Sequence, residues 1–241
     1  MELITKKDYD ELSKAVGDFV IDYVGKKPDS LICFAGGDTP LGLLKYLVEA
    51  VNENKVDLSK CRFVGLDEWV GLGRDVKGSC QEMLYNNFYD LIPVPKEQVC
   101  FFNGLAKDLN EECRRVDSFI SDNGNLDLIV LGIGMNGHIG FNEPAEDFPK
   151  FTHCVDLTES TIQANARFFD KPEDVPTQAY TMGIGTIMRA KRILLIASGK
   201  DKAAIVKEAL FGPVRPQVPA SILQLHPDVT VVLDEEAASC L

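Results

Sequence analysis

Short, continuously apolar runs that end in glycine turns constrain the fold of this chain more than any other feature. Leu31-Ile-Cys-Phe-Ala35 runs straight into Gly36-Gly37-Asp38-Thr39-Pro40, and Leu43, Leu44, Leu47 and Val51 follow at helical spacing. That is a strand, a tight turn and a helix, with Thr39 placed as the N-cap and Pro40 as the first helical residue. The alternation recurs. Residues 62–66 read as a strand and 80–89 as a helix; 126–131 read as a strand entering a second glycine turn; 192–197 read as a strand, 202–210 as a helix and 229–233 as a last strand. Ahead of them all, Leu12, Val16, Phe19, Val20 and Tyr23 share one face of a first helix, closed by the break from Gly25 to Pro28.

A strand that is apolar at every position is buried on both faces, and strands that alternate with helices pair in parallel. The expected fold is therefore α/β, a Rossmann-like three-layer arrangement in which helices cover both faces of a mostly parallel sheet. Residues 1–241 are expected to form one domain, because the Pro- and Gly-containing stretches 171–176 and 212–219 are too short for linkers and read as loops or a lid. No apolar run reaches the roughly 18 residues of a membrane helix, and the amino terminus has no signal-peptide core. A cytoplasmic location is expected. The cysteines are scattered without a C-x-x-C pair, which suits reduced thiols. With 25 basic against 37 acidic residues the formal net charge is −12, which repels nucleic acid and anionic membrane surfaces. An anionic ligand needs a local positive site.

In such folds ligands bind beyond the carboxyl ends of the strands, and three unusual segments stand there. In the first, Gly36 to Pro40, small residues would let backbone N–H groups and a helix N-terminus approach a phosphate, with the Thr39 hydroxyl as a further donor. A purely structural turn fits that segment equally well, and Asp38 would have to point away from an anion. The second is Leu66-Asp67-Glu68-Trp69, where Asp67 is a candidate general base if partly desolvated. Capping a helix is the commoner use of such an acid. The third runs from Leu131 to Pro144 and crowds Gly134, Asn136, Gly137, His138, Gly140, Asn142 and Glu143 into one turn. His138 can shuttle protons near neutrality, and Glu143 or Asn136 could fix its tautomer. A metal site is disfavoured, since only His138, Glu143 and Asp67 could ligate. Arg167 and Lys202 are the candidate cations for a phosphate. His153 and His226 carry no functional expectation, and His226 before Pro227 reads as structural.

These segments together resemble the glucosamine-6-phosphate deaminases, also called isomerases, with the galactosamine-6-phosphate isomerases and, more remotely, the 6-phosphogluconolactonases. The resemblance runs nearly end to end and rests on Leu66-Asp-Glu-Trp69, Gly134-Met-Asn-Gly-His-Ile-Gly-Phe-Asn-Glu-Pro144, Ala166-Arg-Phe-Phe169 and Pro219-Ala-Ser-Ile-Leu-Gln-Leu-His226. The Phe-Asn-Glu-Pro ending favours the aminosugar branch over the lactonases. The resemblance implies that His138 assists sugar ring opening, that Asp67 moves a proton between C2 and C1, and that Glu143 supports His138. Asn136 can only hydrogen-bond, not relay a proton. Gly36, Gly37, Asp38, Thr39, Gly134, Arg167 and Lys202 would form the phosphate pocket, although Gly36 and Asp38 depart from the family pattern. The implied reaction converts an aminosugar 6-phosphate, of glucosamine or galactosamine, to a ketose 6-phosphate and ammonium without metal or organic cofactor. Against it stand a lactonase activity and a non-catalytic sugar-phosphate sensor. Self-association is left open.

Overall fold

A computed structural model describes residues 1–241. In chain order the elements are β1 (Glu2–Lys6), α1 (Tyr9–Lys26), β2 (Leu31–Phe34), α2 (Leu41–Asn52), β3 (Arg62–Gly65), β4 (Asp67–Trp69), α3 (Cys80–Asn87) and β5 (Val99–Cys100). They continue with α4 (Leu109–Asp122), β6 (Leu128–Leu131), β7 (His153–Asp156), α5 (Glu159–Asn165), β8 (Gln178–Thr181), α6 (Ile184–Ile187), β9 (Arg192–Ala197), α7 (Ala203–Phe211) and β10 (Val229–Asp234). Seven strands form the main sheet in the order β1-β10-β9-β6-β2-β3-β5. Every pair in it is parallel, so all the carboxyl ends share one edge.

The pleat sorts the apolar runs into two cores. Cys33, Val64, Ile129, Leu195 and Val231 face one layer with α4, α6 and α7, while Ile32, Phe63, Val130, Leu194 and Val232 face the other with α1, α2 and α3. Burying each such side chain contributes roughly 1.5–3 kcal/mol, and burial on both faces is why the runs carry no polar alternation. The expected three-layer α/β fold is the one observed.

Several local expectations differ from the structure. Helix α2 starts at Leu41 with Pro40 at its N-cap and no side-chain cap of its own. Tyr9 of α1 does the capping instead: its hydroxyl accepts the Gly42 N–H at 2.8 Å and donates to the Thr39 carbonyl at 2.9 Å. Asp67 does not cap a helix but lies in β4, which pairs antiparallel with β8, itself paired with β7, in a second, three-stranded sheet. Nor did the pattern reveal β1, because Glu2-Leu-Ile-Thr-Lys6 is a half-exposed edge strand with no continuous apolar run. The runs read at 31–35, 62–66, 126–131, 192–197 and 229–233 fall on β2, β3, β6, β9 and β10 within two residues at each end. No helix is long and apolar enough to cross a membrane.

Candidate active site

The strand order sets the site. Strand β2 lies between β3 and β6, and β6 lies beside β9, so the segments after these four strands are neighbours on one edge. Sequence order runs outward in both directions from the β2–β6 boundary. Ligand crevices of open α/β sheets occupy that kind of boundary.

After β2, Gly37 adopts φ +93°, a backbone state that a side chain disfavours, and a Cβ there would meet nothing within 4 Å. The loop therefore presents bare backbone to open space. With Tyr9 capping α2, the Thr39 hydroxyl makes no hydrogen bond within the protein and is available to a ligand.

After β3, Asp67 is 7% exposed. Burial, reinforced by the charge of Glu68 and opposed by the Cys80 thiol, lifts its carboxyl to about 7. Gly36 keeps the space above it clear: a Cβ on Gly36 would stand 3.6 Å from Cys80 Sγ and 3.9 Å from Asp67 Oδ1. Glu68 faces the other way. Its carboxylate accepts the N–H groups of Trp69 at 2.8 Å, Cys80 at 3.0 Å and Gln81 at 2.9 Å. Adjacent strand residues point to opposite sides, so one acid clamps the start of α3 while the other accepts no backbone N–H.

After β6, Asn136 is the keystone of the turn. Its Nδ2 donates to Glu143 Oε2 at 2.7 Å, and its Oδ1 accepts the His138 N–H at 3.1 Å. His138 Nδ1 lies 3.7 Å from Glu143 Oε2, a distance that pairs the groups electrostatically without a formed hydrogen bond. Burial pushes the Glu143 carboxyl up, but the His138 ring, the Thr161 hydroxyl and the Asn136 amide together prevail and hold it below the usual carboxylate range. Gly134 packs under the imidazole, where a Cβ would come 2.3 Å from His138 Nε2. Its N–H donates to the His138 carbonyl at 2.9 Å. Gly134, expected among the substrate- or phosphate-binding residues, has its N–H engaged and lies beneath the histidine.

Thr181 fixes the two chemical segments to each other. It pairs with Asp67 across β4 and β8, and its hydroxyl accepts the Phe141 N–H at 3.0 Å. After β9, Lys202 reaches back to the Ile133 carbonyl at 2.7 Å. Burial lowers its pKa, opposed by Asp201 and aided by the charge of Arg167, so the two cations stand close enough to repel. Arg167 lies in a 3-10 turn after α5, over the Phe168 ring. An anion on the glycine loop would require Asp38 to point away. Its Oδ2 instead lies 2.8 Å from Arg167 Nη2, inside the positive cluster.

The sequence did not single out Tyr9 or Thr181, read Cys80 as a helix start and not as a site residue, and treated Glu68 only as the companion of Asp67. Their partners are remote in the chain, and no spacing rule connects them. His226 is buried, with Nε2 2.8 Å from the Ala190 carbonyl and Nδ1 accepting the Asp228 N–H, a structural use as expected.

The family model described as glucosamine-6-phosphate isomerases/6-phosphogluconolactonase matches residues 7–232. Glucosamine-6-phosphate deaminases of Thermoanaerobacter pseudethanolicus and Clostridium perfringens are 46% and 45% identical, each over the whole of this chain and covering 95% and 100% of those proteins. A solved monomeric glucosamine-6-phosphate deaminase superposes with TM-score 0.97 at 41% identity, covering all of both chains. The 6-phosphogluconolactonase from Trypanosoma cruzi shares the fold, with TM-score 0.80 at 20% identity over 100% of this chain and 96% of its own. The protein is thus an enzyme of the glucosamine-6-phosphate isomerase/6-phosphogluconolactonase family.

Proposed function

We propose that this protein is a one-domain, cytoplasmic glucosamine-6-phosphate deaminase whose catalytic groups are Asp67, His138 and Glu143, with Asn136 as their hydrogen-bonding support. The observation that carries the reading is Asp67, a carboxylate held near neutral pKa on the edge that also bears the His138–Glu143 pair. A group of that pKa can take a carbon-bound proton and return it at working pH.

In this reading His138 takes the anomeric O1 proton and delivers a proton to the ring oxygen as the C1–O5 bond breaks and the pyranose opens to the aldehyde, and Glu143 stabilises the charge that His138 carries in between. Asp67 removes the proton at C2, the electron pair forms the C1–C2 double bond, and the substrate ammonium gives a proton to O1, which leaves an enol-amine. The carboxylic acid then returns the proton to C1, leaving a hydroxymethyl group at C1 and an imine at C2. Water adds to the imine, the C2–N bond breaks, and ammonium leaves with fructose 6-phosphate. Groups of the chain, the substrate and one water suffice for these steps, so the reaction calls for no cofactor. The phosphate is held by the Gly37 backbone, the Thr39 hydroxyl, Arg167 and Lys202.

Incubating the protein with glucosamine-6-phosphate and galactosamine-6-phosphate in parallel, and following ammonium and ketose phosphate, tests the reading. Equimolar ammonium and fructose 6-phosphate from the glucosamine sugar are expected. Hydrolysis of 6-phosphogluconolactone with no ammonium from either aminosugar would contradict it.

A further inference from the structure

The Asp38–Arg167 contact is the one feature of the site that the proposed chemistry does not use. Arg167 belongs to an excursion between β7 and β8 that carries α5 and is closed at its base by the Leu157 N–H donating to the Thr177 carbonyl at 2.8 Å. The excursion leans on the molecule through Phe169, whose ring packs edge-on against Trp69 with centroids 5.6 Å apart, and through the Lys77–Asp170 ion pair. Its tie to the glycine loop is the Asp38 carboxylate, 2.8 Å from the guanidinium. Both side chains are more than half exposed, so neither is held there by packing, and an incoming solute can reach the pair.

A carboxylate and a phosphoryl group ask the same thing of a guanidinium: two oxygens in a plane, bearing negative charge. Arg167 in turn lies close enough to Lys202 to repel it, and the Gly37 backbone beside Asp38 faces open space. Asp38 has only its own ion pair to lose. A phosphate dianion can engage Lys202, the loop backbone and Thr39 along with Arg167, whereas a neutral sugar brings nothing that displaces the carboxylate.

We propose that Asp38 is a specificity-determining residue that occupies the phosphate position on Arg167 and is exchanged for the phosphoryl group when a phosphorylated sugar binds. The exchange replaces the Asp38 tie between the excursion and the glycine loop by one through the phosphoryl group. This rests on the reading that Arg167 and Lys202 hold the substrate phosphate, and the test separates the two ideas.

The test is calorimetric titration of the full-length protein with inorganic phosphate at low ionic strength. Wild type is compared with Asp38→Asn, Asp38→Ser, Arg167→Gln and the double variant Asp38→Asn/Arg167→Gln. Asp38 is exposed and outside the core, so its variants are expected to fold. Removing the competing carboxylate should tighten phosphate binding roughly 3- to 20-fold, from the modest worth of an exposed ion pair and the like charge removed. In the Arg167→Gln background that gain should vanish, because the competition runs through Arg167. Absence of tightening in Asp38→Asn and Asp38→Ser, or a gain that persists undiminished without Arg167, overturns the exchange and leaves the phosphate pocket intact. Phosphate binding that is indifferent to Arg167→Gln overturns the pocket and the exchange together.

Discussion

At the scale of single residues, the site depends on Asp67 being both buried and ionisable. Its folded pKa of about 7 stands above the unfolded value of 3.8, so between those values the folded state keeps a proton that the unfolded chain has released. Stability therefore falls as pH rises through that window, while the basic form needed for catalysis is gained near its upper end. Asp67→Asn is expected to abolish turnover and, at pH 8, to raise Tm by an amount corresponding to about 1–4 kcal/mol; calorimetry alongside the ammonium assay checks both. An inactive variant of lower Tm would show that the carboxylate is structural. Gly134 makes the opposite kind of prediction. A methyl group 2.3 Å from His138 Nε2 must move the imidazole, so Gly134→Ala should lower kcat/KM about 100-fold, the scale of a misplaced catalytic group. Retention of full kcat/KM would remove His138 from the mechanism.

At the scale of elements, two buried acids hold the frame, and neither faces the chemistry. Glu68 satisfies three backbone donors, Trp69 in β4 and Cys80 and Gln81 at the entry to α3. Glu68→Ala leaves them unpartnered and should cost about 2–4 kcal/mol in urea unfolding. Asp127, just before β6 at the opposite edge, accepts from Lys27 at 2.8 Å, from Lys191 at 2.7 Å and from the Leu31 N–H at 2.9 Å. Burial would raise its pKa, but the two lysines and the backbone donor prevail and lower it. Its contribution is thus present above the unfolded carboxylate value and lost as pH falls through the folded one. Asp127→Asn should cost about 2–3 kcal/mol at pH 7 and leave kcat unchanged; a fall in kcat at full folding would show coupling across the sheet. The apolar runs of β2, β3, β6, β9 and β10 were legible because burial on both faces leaves a continuous signature. The short β4, β5, β7 and β8 were not, since Asp67-Glu-Trp69, His153-Cys-Val-Asp156 and Gln178-Ala-Tyr-Thr181 break the apolar run with polar residues and β5 is only two residues long, and β1 was hidden by its exposed edge.

At the scale of the whole molecule, parallel pairing is what turns scattered motifs into a site. Gly37, Asp67, His138 and Lys202 are far apart in the chain, yet each follows a strand whose carboxyl end meets the same edge. That convergence was legible from the alternation of strands and glycine turns. The direction of Asp38, the place of Gly134 and the capping of α2 by Tyr9 were not, because each is decided by a side chain from another element. A chain of net charge −12 confines its anion affinity to a local cluster, so added salt should raise KM for the sugar phosphate by screening Arg167 and Lys202. The most direct test of the central claim is the pH dependence of ammonium release from glucosamine-6-phosphate by wild type and Asp67→Asn. The expected result is a kcat/KM that climbs through an acid limb near pH 7 in wild type and is lost in the variant at every pH. Ammonium released at a comparable rate by Asp67→Asn would contradict the assignment of Asp67 as the group that moves the proton.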